Sequence, residues 1–236
     1  MRGDDSNLVP KLRGRFLVFD GPDGCGKSTQ RELLGRRLTD AGLEVVHCKD
    51  PGGTAIGDRI RHEVLGHDLA QMNVRCETFL FMASRAQLVG EVIEPALRAK
   101  KVVLCDRFVS STCAYQGAAG YDVRKVIELA RFAIGDTWPD LTIIFDIEVE
   151  RGFERTGRKA HHAGKHRKKH AGQQMLVADA QPDAMEARPI EFHRRVREIM
   201  LSLPEFYPRP MRIVPADDDP ERVHAKVWEL LHDVDF

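Results

Sequence analysis

The sequence predicts an α/β fold in which a mostly parallel, five-stranded sheet lies between two layers of helices. Two patterns predict it. Short apolar runs, the first at Phe16–Phe19, are continuous rather than alternating, which is typical of strands covered on both faces. Helical stretches separate these runs, so strands and helices alternate along the chain. In such sheets, ligands bind at the carboxyl ends of the strands.

The predicted elements follow in order from the N-terminus. Residues 1–14 are polar with Gly and Pro, and we expect a flexible tail before a single domain over 15–236. The predicted strands are Phe16–Phe19, Val45–Val46, Val102–Leu104, Leu141–Phe145 and Met211–Val214. The predicted helices are the stretch with Leu33, Leu34 and Leu38, then 75–94, a helix that Asp122 caps and that runs to about Ile134, then 186–203, and a last one opened by Asp219 and Pro220 as N-cap and first helical residue.

Composition excludes several classes of protein. The 236 residues carry 36 basic and 36 acidic side chains, which argues against a dedicated nucleic-acid binder. No apolar run approaches the roughly 20 residues of a membrane-spanning helix, and the N-terminus lacks the apolar segment of a secretory signal. The five cysteines have no paired metal-ligand spacing. We therefore expect reduced thiols in a cytoplasmic protein, with neither nucleic acid nor membrane as partner.

A glycine-rich turn after the first strand carries the clearest motif. The segment Gly21–Ser28 matches GxxxxGK[ST] between a strand and a helix, which is the P-loop pattern in the context it requires. Backbone N–H groups of such a loop surround phosphate oxygens, Lys27 reaches the β- and γ-phosphates, and the Ser28 hydroxyl ligates Mg²⁺. This predicts a three-layer P-loop NTPase fold that binds a nucleoside triphosphate, which the family resemblance given below implies to be ATP. The predicted ATP contacts are Gly21, Pro22, Asp23, Gly24, Cys25, Gly26, Lys27, Ser28 and Thr29.

The P-loop alone leaves several activities open. A GTPase switch needs an Asn-Lys-x-Asp motif, and neither Asn7 nor Asn73 is followed by Lys. A nucleic-acid motor normally has a larger domain and an acidic pair after its third strand, whereas Asp106 is followed here by Arg107. A nucleoside or nucleoside-monophosphate kinase and a nucleotide-dependent binding module remain.

Four segments, taken together, resemble the thymidylate kinases. They are Phe19–Gln30, Asp50–Thr54, Phe79–Arg85 and Asp106–Gly117, in the order of that family. The resemblance implies a P-loop kinase, usually a homodimer, that transfers the γ-phosphoryl of ATP to dTMP and gives dTDP for dTTP biosynthesis. A deoxynucleoside kinase or another nucleoside-monophosphate kinase is the alternative enzyme, and a P-loop regulatory module is the alternative without catalysis.

The helix over 75–94 carries a candidate site for a base. Phe81 and Arg85 lie four residues apart and share a helix face. An aromatic plane and a planar cation suit stacking on a base and donation to its carbonyl oxygen. In the alternative interpretation, Phe81 belongs to the core and Arg85 forms a surface ion pair. The face is offset from an apolar stripe, expected at Cys76, Phe79, Leu80, Ala83 and Ala86.

Asp106 and Arg107 lie where the third strand meets its loop. The Arg107 guanidinium matches phosphate geometry and is predicted to bind both the acceptor phosphate and the transferred group. Asp106 is expected to hold Arg107 or a metal-bound water, and a purely structural Asp–Arg pair is the alternative. The resemblance further implies substrate contacts for Asp23 with the sugar 3′-hydroxyl, Tyr115 beneath the sugar, Thr112 and Gln116. For Thr112, a hydroxyl bonded to the helix backbone is the alternative.

No general base is expected, because the acceptor phosphate is already ionised at neutral pH. Positioning and neutralisation of charge by Lys27, Arg107, Mg²⁺ and arginines of a mobile lid would suffice. The lid is expected at about 151–182, and Arg155 and Arg158 align best with lid arginines of the family. Some members carry an arginine in the P-loop where this chain has Gly24.

The chain departs from the family pattern in three places. A His- and Lys-rich insert, about 160–181, lengthens the lid, and we expect a solvated loop there, with a metal site as the alternative. Ala184 stands where the family often has Arg, and Lys49 stands where Arg is common. By family analogy alone, the adenine of ATP is expected near Pro215 and Ala216.

Overall fold

The computed structural model describes residues 5–66, 72–158 and 183–236. Their centre is one sheet of five parallel strands in the order β2-β3-β1-β4-β5, which confirms the predicted sheet. The strands are β1 (Phe16–Asp20), β2 (Val45–Lys49), β3 (Val102–Asp106), β4 (Leu141–Asp146) and β5 (Met211–Pro215).

The sheet separates two apolar cores, as the continuous apolar runs predicted. Along β1, Phe16 and Val18 face one core while Leu17 and Phe19 face the other. All five residues of β1 are buried, whereas the edge strands β2 and β5 keep exposed positions. Burial of both faces at the centre therefore explains why β1 shows no alternation of polar and apolar residues.

Ten α-helices in the described residues complete the layers. They are α1 (Asp5–Lys11), α2 (Lys27–Asp40), α3 (Ala55–Leu65), α4 (Val74–Leu88), α5 (Glu94–Arg98), α6 (Val109–Ala118), α7 (Val123–Ile134), α8 (Val149–Arg155), α9 (Ile190–Ser202) and α10 (Pro220–His232). Asp122 and Asp219 cap α7 and α10 through their side chains, as predicted. The predicted helix over 75–94 is α4 followed by a π-helical turn, Val89–Ile93. None of the described helices is long and apolar enough to cross a bilayer.

The N-terminal segment differs from the tail we expected over 1–14. Its described part contains α1, and both Leu8 and Leu12 are buried in the core beside α2 and α10. Two leucines four residues apart form one apolar helix face, and that face packs although the segment is otherwise polar. Residues 1–4 lie outside the described part of the chain.

The apolar stripe on α4 lies mostly on the outward face of the helix. Phe79 is 52% exposed, and Cys76 and Ala83 are also exposed. The inward face carries Phe81 together with two charged residues, Glu77 and Arg85. Charged side chains can occupy that face because each has a buried partner: Arg85 pairs with Asp50, and Glu77 accepts a hydrogen bond from Gln116.

Three neighbouring strands end in aspartate at the same edge of the sheet. Asp20, Asp106 and Asp146 close β1, β3 and β4, and Asp50 follows β2 directly. Carboxyl ends of parallel strands lie side by side, so polar residues from distant parts of the sequence meet there.

Candidate active site

The P-loop lies between β1 and α2 and depends on backbone that only glycine adopts easily. Gly21, Gly24 and Gly26 all have positive φ. Gly24 also packs directly on Gly152 of α8: a Cβ atom at Gly24 would come within 2.2 Å of the Gly152 carbonyl oxygen. This contact leaves no room for a side chain at position 24, so arginines for this site must come from elsewhere.

Lys27 and Ser28 open α2 at the end of the P-loop. The Lys27 ammonium is buried and donates to the carbonyl oxygens of Gly21, at 3.0 Å, and Pro22, at 2.9 Å. Ser28 and Thr29 are exposed on the first helical turn. The Ser28 hydroxyl donates to Asp106 Oδ2 at 2.9 Å. A hydroxyl and a carboxylate together form an oxygen donor set of the kind that Mg²⁺ prefers.

Beside the P-loop, a cavity of about 610 Å³, counting its open mouth, lies at the carboxyl edge of the sheet. The structure brings all the residues predicted to bind the acceptor to this one cavity. They are Asp23, Phe81, Arg85, Arg107, Thr112, Tyr115 and Gln116. We name its two parts the α4 side, with Phe81 and Arg85, and the P-loop side, with Asp23 and Arg107.

On the α4 side, Arg85 is 1% exposed and tightly held. Its Nε donates to Asp50 Oδ2 at 2.5 Å, and its Nη2 donates to Thr112 Oγ1 at 2.8 Å and to the Phe108 carbonyl at 3.1 Å. Arg85 is thus neither a surface residue nor a free cation. Burial raises the pKa of Asp50, and this effect outweighs the lowering by Arg85.

On the P-loop side, Arg107 follows β3 in a left-handed conformation, with φ of 66°. Its Nη2 donates to Asp23 Oδ1 at 2.5 Å, and its Nη1 lies 3.1 Å from Ser111 Oγ. Asp20 approaches the same Nη1 at 3.5 Å. A non-glycine residue at positive φ costs energy, and the surrounding contacts hold it there. The guanidinium also lies over the Tyr115 ring, 5.3 Å from its centroid.

Asp23 is shared by two arginines. Arg158 Nη1 donates to Asp23 Oδ2 at 3.0 Å, opposite Arg107 on Oδ1. Burial alone would raise the pKa of Asp23, but Arg107, Lys27 and Arg158 together lower it to about 2. Asp23 therefore stays ionised and holds the two guanidinium groups on either side of one carboxylate.

Arg158 is positioned by residues that follow the lid segment in sequence. Its Nη2 contacts the Glu186 carbonyl and lies 3.3 Å from His193 Nε2. Burial, together with the charge of Arg158, lowers the pKa of His193 to about 4, although Asp23 opposes this. The ring is therefore neutral near pH 7 and accepts a hydrogen bond from Arg158.

Two of the expected arrangements differ in the structure. Asp106 bonds Ser28 rather than Arg107, whose carboxylate partners are Asp20 and Asp23. Arg155 does not reach the P-loop in the described part of the chain. It donates to the Ala216 carbonyl at 3.0 Å and pairs with Asp217 at 3.3 Å. The two lid arginines thus contact different segments: Arg155, the last residue of α8, contacts residues 216–217, whereas Arg158, three residues beyond the helix, reaches the P-loop.

The predicted lid is described only at its two ends. Residues 159–182, which include the His- and Lys-rich insert, lie outside the described part of the chain. Among the described residues, no cluster of three or more His, Cys, Asp or Glu side chains could hold a metal ion. Asp183, Met185 and Glu186 line the cavity, and Ala184 indeed supplies no cation there.

Sequence reasoning missed three buried carboxylates that contact side chains lining this cavity. Asp20 accepts from Ser110 at 2.5 Å and Ser111 at 2.7 Å, and its place at the end of β1 was a usable signal. Asp50 partners Arg85. Glu77 lies four residues before Phe81 and eight before Arg85, so helical periodicity alone puts it on their face.

The chain is similar to known proteins over most of its length. A family model described as thymidylate kinase matches residues 19–227. A thymidylate kinase of Protochlamydia amoebophila is 39% identical over 225 residues, covering 94% of each chain. One of Pelotomaculum thermopropionicum is 38% identical, covering 94% of this chain and 95% of that protein. The crystal structure of thymidylate kinase from Ehrlichia chaffeensis superposes with a TM-score of 0.68 at 28% identity, over 93% of this chain and 99% of that one.

Proposed function

We propose residue roles for this site on one premise: the chain belongs to the thymidylate kinase family, which phosphorylates dTMP to dTDP with ATP. The proposed roles rest on a single observation. One cavity joins an aromatic and a buried arginine on the α4 side to an aspartate and a second arginine beside the P-loop. The lining changes from apolar and hydrogen-bonding residues at one part of the cavity to cationic residues at the other, which suits the base and the phosphate of a nucleoside monophosphate.

We assign the α4 side to the thymine base. Phe81 offers a stacking plane, and Arg85 and Thr112 are bonded to each other beside it. Because Arg85 is fixed by Asp50, its remaining N–H groups have a set direction before substrate arrives, and little entropy is lost on binding. Tyr115 also lines the cavity and combines an apolar ring with a polar hydroxyl. We assign it, together with Asp23, to the sugar.

We assign phosphoryl transfer to the cations on the P-loop side. Arg107 would hold the acceptor phosphate, Lys27 the phosphates of ATP, and Arg158 the charge that develops on the transferred group. Asp23 gives two of these groups a common anchor. No base need remove a proton, because the acceptor oxygen is already anionic. Catalysis then consists of positioning and electrostatic stabilisation.

We propose that Mg²⁺ joins ATP at this site. The Ser28 hydroxyl would be a direct ligand, and Asp106, 2.9 Å from it, would bind a ligand water or the ion itself. The ion would neutralise phosphate charge during transfer. For the adenine we propose the segment at Pro215 and Ala216, where the contacts of Arg155 favour a role at the nucleoside of ATP rather than at the transferred phosphoryl.

A coupled ADP-release assay tests the activity, with dTMP, dUMP, dCMP, dGMP, AMP and thymidine as acceptors. We expect dTMP to be the best acceptor and dUMP the second. Preference for thymidine would instead indicate a nucleoside kinase. Absence of turnover with ATP binding intact would indicate a nucleotide-dependent binding module.

We also propose a homodimer. Three of the large apolar side chains that are exposed, Ile56, Phe79 and Phe132, lie on helices α3, α4 and α7, and α4 packs against both of the others. A partner subunit would cover this face. Light scattering should give twice the chain mass, and Phe79→Glu should shift the population to monomer, whereas Phe206→Glu, on a different segment, should not. A monomeric wild type would contradict the proposal.

We also propose a cytoplasmic location. All five cysteines are free, which supports it.

A further inference from the structure

Gln116 has a defined amide orientation. It lines the cavity from α6 and is almost fully buried. Its Nε2 lies 2.7 Å from Oε1 of Glu77, a buried residue of α4. An ionised carboxylate only accepts hydrogen bonds, so the nitrogen of the amide must face Glu77 and the oxygen must face away.

In this orientation the amide oxygen of Gln116 has no hydrogen-bond partner among the described residues. Gln116 Oε1 is buried and accepts no hydrogen bond from any part of the chain that the structure describes. A buried acceptor without a partner costs free energy, which a ligand donor would recover. Arg85, by contrast, has hydrogen-bond donors without a strong acceptor. Its Nη1 contacts only Met82 Sδ among the described residues, at 3.1 Å, and a thioether is a weak acceptor.

Two residues that line the cavity thus each keep hydrogen-bonding capacity: Gln116 has an acceptor without a partner, and Arg85 has donors that meet only a weak acceptor. Thymine and uracil carry an N3–H donor next to the O4 acceptor. Cytosine carries the reverse pair, an N3 acceptor next to an amino donor. A site that offers an acceptor at Gln116 matches the first pair and opposes the second, because two acceptors would face each other.

Glu77 is itself held by a residue that follows the lid segment. Arg188 Nη2 lies 3.3 Å from Glu77 Oε2, and its guanidinium stacks on the Phe192 ring at 4.6 Å from the centroid. One oxygen of Glu77 thus binds Gln116 and the other binds Arg188. Neither Glu77 nor Arg188 lines the cavity.

We propose that the Glu77–Arg188 pair determines base selectivity by orienting Gln116, so that the site accepts bases with a ring N–H donor and rejects cytosine. Glu77 and Arg188 are positioning residues in this scheme, and Gln116 is the group that touches the base. The inference rests on the proposed dTMP activity and adds to it the reason for discrimination against dCMP.

The test compares kcat/KM for dTMP, dUMP and dCMP in the wild type, in Glu77→Gln and in Glu94→Gln. Glutamine at 77 keeps the shape but offers either an oxygen or an NH₂ group to Gln116, so the amide can turn. We expect the dTMP-to-dCMP ratio to fall at least tenfold in Glu77→Gln. The dTMP-to-dUMP ratio should stay within twofold, since both bases share N3–H and O4. Glu94, a carboxylate bonded to Thr137 away from the cavity, is the matched control and should leave both ratios unchanged.

Three outcomes would overturn the proposal. A dTMP-to-dCMP ratio within twofold of wild type in folded Glu77→Gln excludes the orienting role. Equal loss of activity toward all three acceptors, with both ratios kept, indicates a merely structural role. If Glu77→Gln fails to fold, Arg188→Gln carries the test, because it frees the second oxygen of Glu77, and an unchanged dTMP-to-dCMP ratio there also refutes it. Failure of the wild type to use dTMP would instead refute the proposed function.

Discussion

Arg85 and Arg107 line the same cavity, but their surroundings differ. The Arg85 side chain is 1% exposed and the Arg107 side chain is 21% exposed. Arg85 lies within the regular helix α4, whereas Arg107 sits at positive φ just after β3. The α4 side is thus built as a rigid shape inside the fold, while the P-loop side keeps cations open to a ligand.

The aspartates that face these arginines show the same contrast. Asp50 meets mainly one cation, and burial raises its pKa. Asp23 meets Arg107, Lys27 and Arg158, and their charges outweigh burial, so its pKa falls to about 2. The difference teaches that one cavity can use its arginines for two purposes. A single compensated pair fixes geometry, and a surplus of cations prepares a place for phosphate.

The largest effect is expected on stability at the α4 side. Arg85→Met leaves Asp50 buried without its cation, and loss of one partner of a buried pair costs about 3–5 kcal/mol. Denaturant unfolding should show this loss. Arg98→Met, which breaks an exposed pair with Glu94, is the control and should cost about 0.5 kcal/mol or less. A loss below about 1 kcal/mol for Arg85→Met would break the contrast, because the α4 side would then not depend on its ion pair.

On the P-loop side, the largest effect is expected on rate. Lys27→Ala should lower phosphoryl transfer by about 10²–10³-fold or more, since it removes a donor from the phosphates. The fold should stay intact, because Lys27 bonds loop carbonyls rather than a buried anion. ADP release and thermal unfolding measure the two quantities, with Lys101→Ala as a control at an exposed pair. Activity within tenfold of wild type would show that the P-loop assignment is wrong.

Arg107→Lys sharpens the comparison further. Lysine keeps the charge and suffers the same backbone strain at φ of 66°, but it loses the fork that reaches Asp23 and a phosphate together. We expect a loss of about 2–4 kcal/mol in transition-state stabilisation, seen mainly in kcat. A change in KM for dTMP with kcat unchanged would contradict a role in transfer.

A smaller effect is expected from pH through His193. The folded pKa of about 4 lies below the unfolded value, so the unfolded chain binds more protons between these values. His193 therefore contributes stability above about pH 6.5 that is lost as the pH falls toward 4, by at most about 3 kcal/mol. His193→Gln should flatten the pH dependence of the free energy of unfolding in this window, whereas the exposed His62→Gln should not. An unchanged slope would mean that His193 is not kept neutral beside Arg158.

Local sequence patterns were sufficient for much of this protein. The P-loop, the five strands and the caps of α7 and α10 each depend on a few neighbouring residues, and all were predictable. The apolar spacing on α4 predicted a helix but did not predict how the helix is turned, because periodicity shows which residues share a face and not which face is buried. Phe79 faces outward, whereas the charged face with Arg85 faces inward, where partners from the loop after β2 and from α6 compensate it.

The sequence by itself determined the architecture and the phosphate site, since short-range spacing sets the strands and the glycines set the loop. Only the tertiary structure decided which charged and polar side chains meet. Asp20 reached Ser110 and Ser111, and Glu77 reached Gln116 and Arg188. These partners are separated by 39 to 111 positions in the chain, and no local pattern encodes their pairing. The parallel sheet creates it, because it brings its strand ends and the following helices to one edge.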